Sequence, residues 1–340
     1  MKILITGGAG FIGSHLADRL LAMGEEVFVI DNLSTGSLMN IEHLQDNSKF
    51  HLVVDSVLQE AVMNELVFKC EQIYHMAAVV GVKQIMERPV ETLETNVKGT
   101  EMVLKLSNRH RKKVLIASTS EVYGKVMDGN SCSTLTEDTD RLMGSTTKRR
   151  WAYACSKALD EFLALAYFEE KNLPVVVVRL FNTVGPRQSG QYGMVIPNFV
   201  QRALLGMPII VHGDGTQSRS FTHVSDVVEV LINLMVERRA LGQVVNVGST
   251  QEVTINDLAF MVKKMAESES IVQYIPYEKI YGSGFEDMQR RCPDISKLTE
   301  LTGFQPKIDL NDIIKDVIDY HKNQSEKSEA LEIKEVAVSG

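Results

Sequence analysis

The first half of the chain alternates two textures. Short runs rich in β-branched residues, at Lys2–Thr6, Val27–Ile30, Leu52–Val54, Ile73–Met76, Val114–Ser118 and Val175–Leu180, predict strands. Several are apolar almost throughout rather than alternating, as expected when helices cover both faces of a sheet. Between them, Phe11–Met23, Val57–Cys70, Val90–Arg109 and Trp151–Lys171 carry apolar residues at helical spacing. Strand and helix in alternation predict βαβ units that feed a doubly wound parallel α/β sheet.

Beyond about residue 182 the pattern shortens. Gly185-Pro186, Gly206-Met207-Pro208 and Gly213-Asp214-Gly215 punctuate smaller elements, which predicts a loop-rich α+β substrate region. Helical stretches at Ser225–Arg238 and Ile255–Ala266, with a strand at Gln243–Val247 between them, return the chain partly to the first unit. The expected division is therefore interleaved: residues 1–181 plus about 222–249 in one domain, 182–221 and 250–322 in a smaller one, and 323–340 as a polar tail.

Composition narrows the function classes. With 44% hydrophobic and 24% charged residues the chain has the profile of a globular protein, so disordered and fibrous classes are excluded. Lys and Arg number 36 against 44 Asp and Glu, a formal charge of −8, which leaves no general field for nucleic acid or anionic lipid. An anionic ligand must be held by a local cluster of donors. Cys70, Cys132, Cys155 and Cys292 are scattered without a C-x-x-C pair, and the eight histidines form no ligand-spaced cluster, so reduced thiols and no metal are expected. No apolar run approaches the ~20 residues of a membrane span. The first residues, Met1-Lys2-Ile3-Leu4-Ile5, carry no signal-peptide pattern, and a cytoplasmic location is expected.

The first strand ends in Gly7-Gly8-Ala9-Gly10-Phe11-Ile12-Gly13 and a helix follows. Gly8, Gly10 and Gly13 fit the dinucleotide fingerprint of a Rossmann-type sheet, with the pyrophosphate at the helix N-terminus. Glycine also serves ordinary turns, so the triplet alone is weak. Asp31, at the end of the second strand and at the spacing of about 20 residues the fingerprint requires, strengthens it. A carboxylate there accepts hydrogen bonds from a ribose 2′-hydroxyl and repels a 2′-phosphate, which favours NAD over NADP. The bland alternative is a solvated aspartate opening a turn with Asn32.

Tyr153-Ala154-Cys155-Ser156-Lys157 places a phenol and an ammonium four residues apart on one helix face. An unperturbed phenol titrates near ~10, and a nearby opposite charge lowers it by about 1–3 units, toward a useful base. Tyrosine and lysine at this spacing are common on solvated helices. Downstream of a dinucleotide fingerprint they become candidate catalytic residues.

Taken with these motifs, His75-Met76-Ala77-Ala78, Asn96, Ser118-Thr119-Ser120-Glu121-Val122-Tyr123-Gly124, Arg179-Leu180-Phe181-Asn182, Gly185-Pro186-Arg187, Arg219 with Asp226, and Arg291-Cys292-Pro293-Asp294 complete a resemblance over about residues 1–322. The chain resembles the extended short-chain dehydrogenases/reductases of the nucleotide-sugar epimerase, dehydratase and decarboxylase group. The resemblance implies NAD held by Gly7, Gly10, Phe11, Ile12, Gly13, Asp31, Asn32, Ser34, Gly36, Asp55, Ala77, Ala78 and Asn96, together with Tyr153 and Lys157. It implies that Tyr153 takes the proton of a sugar 4-hydroxyl beside Thr119 while Lys157 binds the nicotinamide ribose and, together with the positive charge of the cofactor, keeps Tyr153 acidic. It further implies a UDP-sugar substrate held by Ser120, Asn182, Arg187, Arg219 and Arg291, and a homodimer built on the helices at about Val90–Ser107 and Trp151–Tyr167. Any one of the arginines, taken singly, also reads as a surface ion pair.

Within that group Glu121 discriminates. A simple 4-epimerase needs no carboxylate there, whereas Thr-Ser-Glu resembles the UDP-glucuronate decarboxylases and the 4,6-dehydratases. A structural carboxylate after a strand is the alternative reading of Glu121. Arg149-Arg150-Trp151-Ala152-Tyr153, and Tyr281-Gly282 through Phe285 and Asp287 to Arg291, also resemble decarboxylases, while Val79-Val80-Gly81-Val82-Lys83 looks epimerase-like. The expectation is decarboxylation of UDP-glucuronate or a related UDP-hexuronate through a 4-keto sugar. A UDP-sugar 4-epimerase is the alternative and a 4,6-dehydratase the third.

Overall fold

The computed structural model describes residues 1–81, 87–125, 134–149, 151–190, 194–281 and 288–338. Val82, Lys83, Cys132, Arg150 and the Gly282–Asp287 stretch, all named above, lie outside the described residues. The strands are β1 (Lys2–Thr6), β2 (Glu26–Asp31), β3 (Phe50–Val54), β4 (Gln72–His75), β5 (Lys113–Thr119), β6 (Val175–Leu180), β7 (Thr183–Val184), β8 (Ile209–His212), β9 (Ser218–Ser220), β10 (Thr222–His223), β11 (Val244–Val247), β12 (Glu252–Thr254), β13 (Val272–Ile275) and β14 (Arg290–Arg291). The helices are α1 (Phe11–Ala22), α2 (Glu60–Lys69), α3 (Pro89–His110), α4 (Trp151–Lys171), α5 (Val195–Leu204), α6 (Val224–Val236), α7 (Ile255–Met265), α8 (Tyr277–Tyr281), α9 (Ser296–Thr302) and α10 (Leu310–Val338).

Seven parallel strands form the central sheet in the order β3-β2-β1-β4-β5-β6-β11. Their apolar character has a simple origin. Ile3 and Ile5 of β1 pack with Leu16, Ala17 and Leu20 of α1 and with Leu231 and Leu234 of α6, while Leu4 packs on the opposite face with Met63 and Val67 of α2 and Val103 and Leu104 of α3. Both sheet faces are covered, so both sets of side chains must be apolar. The winding direction reverses between β1 and β4, and the crevice outside the carboxyl ends of these strands is the expected ligand position. A third apolar cluster, with Ile196, Phe199, Ile209, Leu258 and Ile313 among its members, forms the core of the later segments. The segment from Asn323, read above as a polar tail, lies in α10, which runs to Val338.

A buried cation stands in one of these strands. Arg179 of β6 is buried in the sequence Val-Val-Val-Val-Arg-Leu. Its Nε and Nη2 donate to Glu161 of α4 at 3.0 and 2.8 Å, and Nη1 donates to the Glu137 carbonyl at 2.9 Å. Glu161 also accepts the Ser118 hydroxyl at 2.5 Å. The guanidinium lies 4.7 Å from the centre of the Tyr123 ring, whose hydroxyl donates to Asn246 of β11 at 2.7 Å. Asn246 Nδ2 in turn donates to the carbonyls of Leu135 and Asp294. One buried network therefore joins β5, α4, β6 and β11 to the segments at Leu135 and Asp294. Glu161→Ala leaves Arg179 buried and uncompensated, at an expected cost of about 3–5 kcal/mol in urea unfolding. A cost below about 1 kcal/mol would make the network peripheral.

Candidate active site

A cavity of about 640 Å³ opens at the crevice. Its floor is the turn between β1 and α1, and the backbone there leaves no room for side chains. Gly7 sits at φ +71°, and a Cβ on it would meet the Ala77 backbone at 2.8 Å. A Cβ on Gly13 would lie 2.2 Å from the Gly7 carbonyl oxygen, which closes the first turn of α1 against the strand end. Gly10, Phe11, Ile12 and Gly13 line the cavity at the helix N-terminus, where unpaired amides and the helix dipole suit a phosphate. At the β2 end, Asp31 Oδ2 accepts the Ala9 amide at 2.9 Å and Oδ1 the Leu33 amide at 2.8 Å. Burial nevertheless holds its carboxyl above the usual range. Asn32, Ser34, Asp55, Ala77 and Ala78 line the same end of the cavity.

The other predicted cofactor residues serve that wall from behind. Gly36 closes on Asp31, where a Cβ would stand 2.9 Å from both carboxylate oxygens. Asn96 of α3 is buried and exchanges two hydrogen bonds with the Val79 backbone, at 2.8 and 3.2 Å, so it fixes the strand β4 exit loop.

At the far end, β5 delivers Thr119 and the short helical turn after it delivers Ser120 and Glu121, with the Thr119 hydroxyl capping that turn by accepting the Glu121 amide at 3.2 Å. Tyr153 of α4 also faces the cavity, hydrogen-bonded to Thr119. Glu121 forms an ion pair with Arg291, whose Nη2 donates to Asn182 at 3.0 Å. Arg219 and Arg291 are register partners on the parallel pair β9 and β14, and both line the cavity. Two cations brought to one wall of a cavity suit an anionic ligand. Arg187 lines the cavity too, but its guanidinium is paired with Asp18 of α1 at 2.8 Å.

The protein's own groups hold the Tyr153 phenol above the ordinary range, first by burial and then by the charge of Glu121, with Asp160 adding to both and Thr119 and Arg291 opposing. Lys157, expected to act on the phenol, is itself buried, and its Nζ donates to Asp160 at 2.8 Å. The two residues sit on one helix face as predicted, but Asp160 offsets the lysine's charge.

The comparisons with known proteins agree with this geometry. A family model described as GDP-mannose 4,6 dehydratase matches residues 4–317. The chain belongs to this family, within the extended short-chain dehydrogenases/reductases. UDP-N-acetyl-alpha-D-glucosaminuronate decarboxylase of Bacillus cytotoxicus is 42% identical over 94% of this chain and 98% of its own length. UDP-glucuronic acid decarboxylase 1 of Danio rerio is 37% identical over 96% of this chain and 73% of its own. The crystal structure of UDP-glucuronic acid 4-epimerase from Bacillus cereus, in complex with UDP-glucuronic acid and NAD, superposes with a TM-score of 0.85 at 27% identity, covering 95% of this chain and all of that one.

Sequence reasoning missed several members of this family site. Asp160 and Glu161 were not singled out, and Arg179 entered only as part of a motif, although a lone arginine in an apolar strand signals a buried partner. His212, Gln217 and Tyr277 also line the cavity, and Gln217 Nε2 donates to the Tyr277 hydroxyl at 2.9 Å. His75, wholly buried behind Lys157, is hydrogen-bonded with Thr6 at 2.8 Å and Thr100 at 3.2 Å. Burial, then the charge of Lys157, push its imidazole down to about 3. An unfolded chain protonates this histidine near ~6.5, so the unfolded state binds the extra proton and stability falls as pH drops from there toward 3. The thermal midpoint should decline through that window and decline less steeply in His75→Gln; equal slopes would remove His75 as a source.

Proposed function

We propose that the protein is an NAD-dependent decarboxylase of a UDP-hexuronate that works through a 4-keto sugar. The observation that carries this reading is Glu121, a carboxylate beside Tyr153 and Thr119 in the cavity and paired with Arg291, where simple epimerisation requires none. Relatives at 42% and 37% identity named as decarboxylases support it. The glycine turn, too tight for side chains, and the Asp31 carboxylate fit the pyrophosphate and ribose of NAD. Residues 1–181 with 222–249 would then hold the dinucleotide, and 182–221 with 250–322 the UDP-sugar.

NAD, when bound, supplies hydride acceptance from C4 of the sugar and hydride return. Tyr153 takes the proton of the 4-hydroxyl, and Thr119 hydrogen-bonds the same oxygen. The resulting 4-keto hexuronate is a β-keto acid: its C5–C6 bond breaks, the electron pair enters the enolate of the 4-keto group, and CO2 leaves. Thr119 and Tyr153 stabilise the developing charge on that oxygen. A proton returned to C5 restores the ketone before reduction to a UDP-pentose. Asn182, Arg219 and Arg291 hold the diphosphate, and Ser120 packs under the sugar. Arg187 contributes to the cavity wall. Epimerisation at C4 is the second reading, favoured by the close superposition of the UDP-glucuronic acid 4-epimerase.

The reading also takes the protein as a cytoplasmic homodimer without nucleic-acid or membrane partners. Among the described residues no helix is long and apolar enough to cross a membrane, and Cys70, Cys155 and Cys292 are free thiols. Helices α3 and α4 pack along each other and present Val90, Leu93, Leu159 and Phe162, the last 60% exposed, which is the apolar face that would dimerise.

Incubation with UDP-glucuronate and, separately, UDP-N-acetylglucosaminuronate, followed by NMR, should yield a UDP-pentose sugar and CO2 from one of them. A C4 epimer without CO2 would establish the second reading instead. Tyr153→Phe should lose about 10²–10⁴-fold in turnover while retaining NAD binding by calorimetry. Phe162→Glu should convert the dimer to monomers in analytical ultracentrifugation, and an unchanged sedimentation profile would relocate the interface.

A further inference from the structure

Helix α4 carries a third polar residue on the face that bears Tyr153 and Lys157. Asp160 Oδ2 lies 2.8 Å from Lys157 Nζ, and the two side chains are 1% and 2% exposed. Few places in a protein are worse for an unmatched ammonium, because desolvation costs several kcal/mol per ion. The groups that act on the pair are His75 from β4, Thr100 from α3, and Tyr153 and Glu161 from α4 itself. Glu121 and Arg291 face the phenol from the cavity side, and they are paired with one another. Glu161 is committed to Arg179 and Ser118. Asp160 is therefore the carboxylate matched to Lys157.

We propose that Asp160 is a positioning residue for the Tyr153 base: it anchors the Lys157 ammonium and offsets its charge, so the pair, not Lys157 alone, sets the pH at which Tyr153 releases its proton. The proposal rests on reading Tyr153 as the base of the reaction. A bare ammonium near a buried phenol favours the phenolate, whereas an ammonium and carboxylate 2.8 Å apart present a dipole whose field falls off faster. Burial and Glu121 already hold the phenol high, and Asp160 acts in the same direction. The site thus keeps Tyr153 protonated until a further positive charge or donor reaches it, and Asp160 adjusts how large that push must be.

Asp160→Asn keeps the size of the side chain and an acceptor for Lys157 but removes the charge. The rising limb of the kcat/KM pH profile should move to lower pH by about one unit in Asp160→Asn and stay in place in Asp160→Glu. The same shift should appear without any sugar in NAD-loaded protein carrying Cζ-labelled tyrosine, where the carbon resonance lost in Tyr153→Phe reports the phenol directly. A folded Asp160→Asn protein whose resonance and limb both stay in place overturns the proposal. So does failure of both Asp160→Asn and Asp160→Ser to fold while Asp160→Glu folds, since the carboxylate would then serve folding alone. Absence of turnover with either UDP-hexuronate would count against the decarboxylase reading, and the tyrosine resonance would still decide the role of Asp160.

Discussion

The site depends on a guanidinium placed inside a parallel sheet. Arg179 stands in a strand whose other positions are aliphatic, and burying it alone would cost far more than the fold has to spare. Its compensation fixes several elements at once. Glu161 must come from α4, which sets the rotation of the helix that also carries Tyr153 and Lys157. Ser118 must reach the same carboxylate, which fixes the end of β5 one residue before Thr119. Tyr123 over the guanidinium then leads to Asn246, and Asn246 clamps the carbonyls of Leu135 and Asp294. The backbone bonds between Leu135 and Cys292 and between Asp294 and Leu135 carry that constraint to the residue next to Arg291. The strand end that carries Thr119, the helix that carries Tyr153, and Arg291 are thereby tied to one buried ion pair.

The cavity resolves an apparent conflict in the charge of the chain. A protein with a formal charge of −8 would repel a nucleoside diphosphate at long range, so attraction has to be local. Register pairing of Arg219 with Arg291 supplies it by bringing two arginines of one small sheet to the cavity. Each is restrained from behind: Arg219 donates to the Ser218 carbonyl at 2.7 Å, and Arg291 to Asn182 and Glu121. Arg187, by contrast, is spent on Asp18, and the sequence offered no way to tell it from the other two.

What was legible in the sequence was local. The strands at Lys2–Thr6 and Val175–Leu180 and the helix at Trp151–Lys171 have the predicted bounds, because aliphatic runs and helical periodicity are set within one element. The glycine turn was legible because its glycines answer to their immediate neighbours. Illegible were the facts that depend on residues far apart in the chain. Asn96 looks like a cofactor ligand in a motif, yet it is turned to the Val79 backbone by the packing of α3 on the sheet. The spacing of Tyr153 to Lys157 could not announce the burial of the phenol or the charge of Glu121, which arrives from another element and raises it. The polar run after Asn323 has no apolar stripe to announce a helix, yet α10 continues through it from the buried Ile313, Ile314 and Val317.

The pairing of Glu121 with Arg291 links substrate charge to the state of the base. Glu121 raises the Tyr153 phenol and Arg291 lowers it, so the net effect depends on which partners the two groups have. Each offsets the other, so the ion pair sets the charge that the phenol meets on its cavity side. Arg291 is also held by Asn182 at 3.0 Å and stands in β14, so the same guanidinium joins the surroundings of the phenol to the small sheet that carries Arg219.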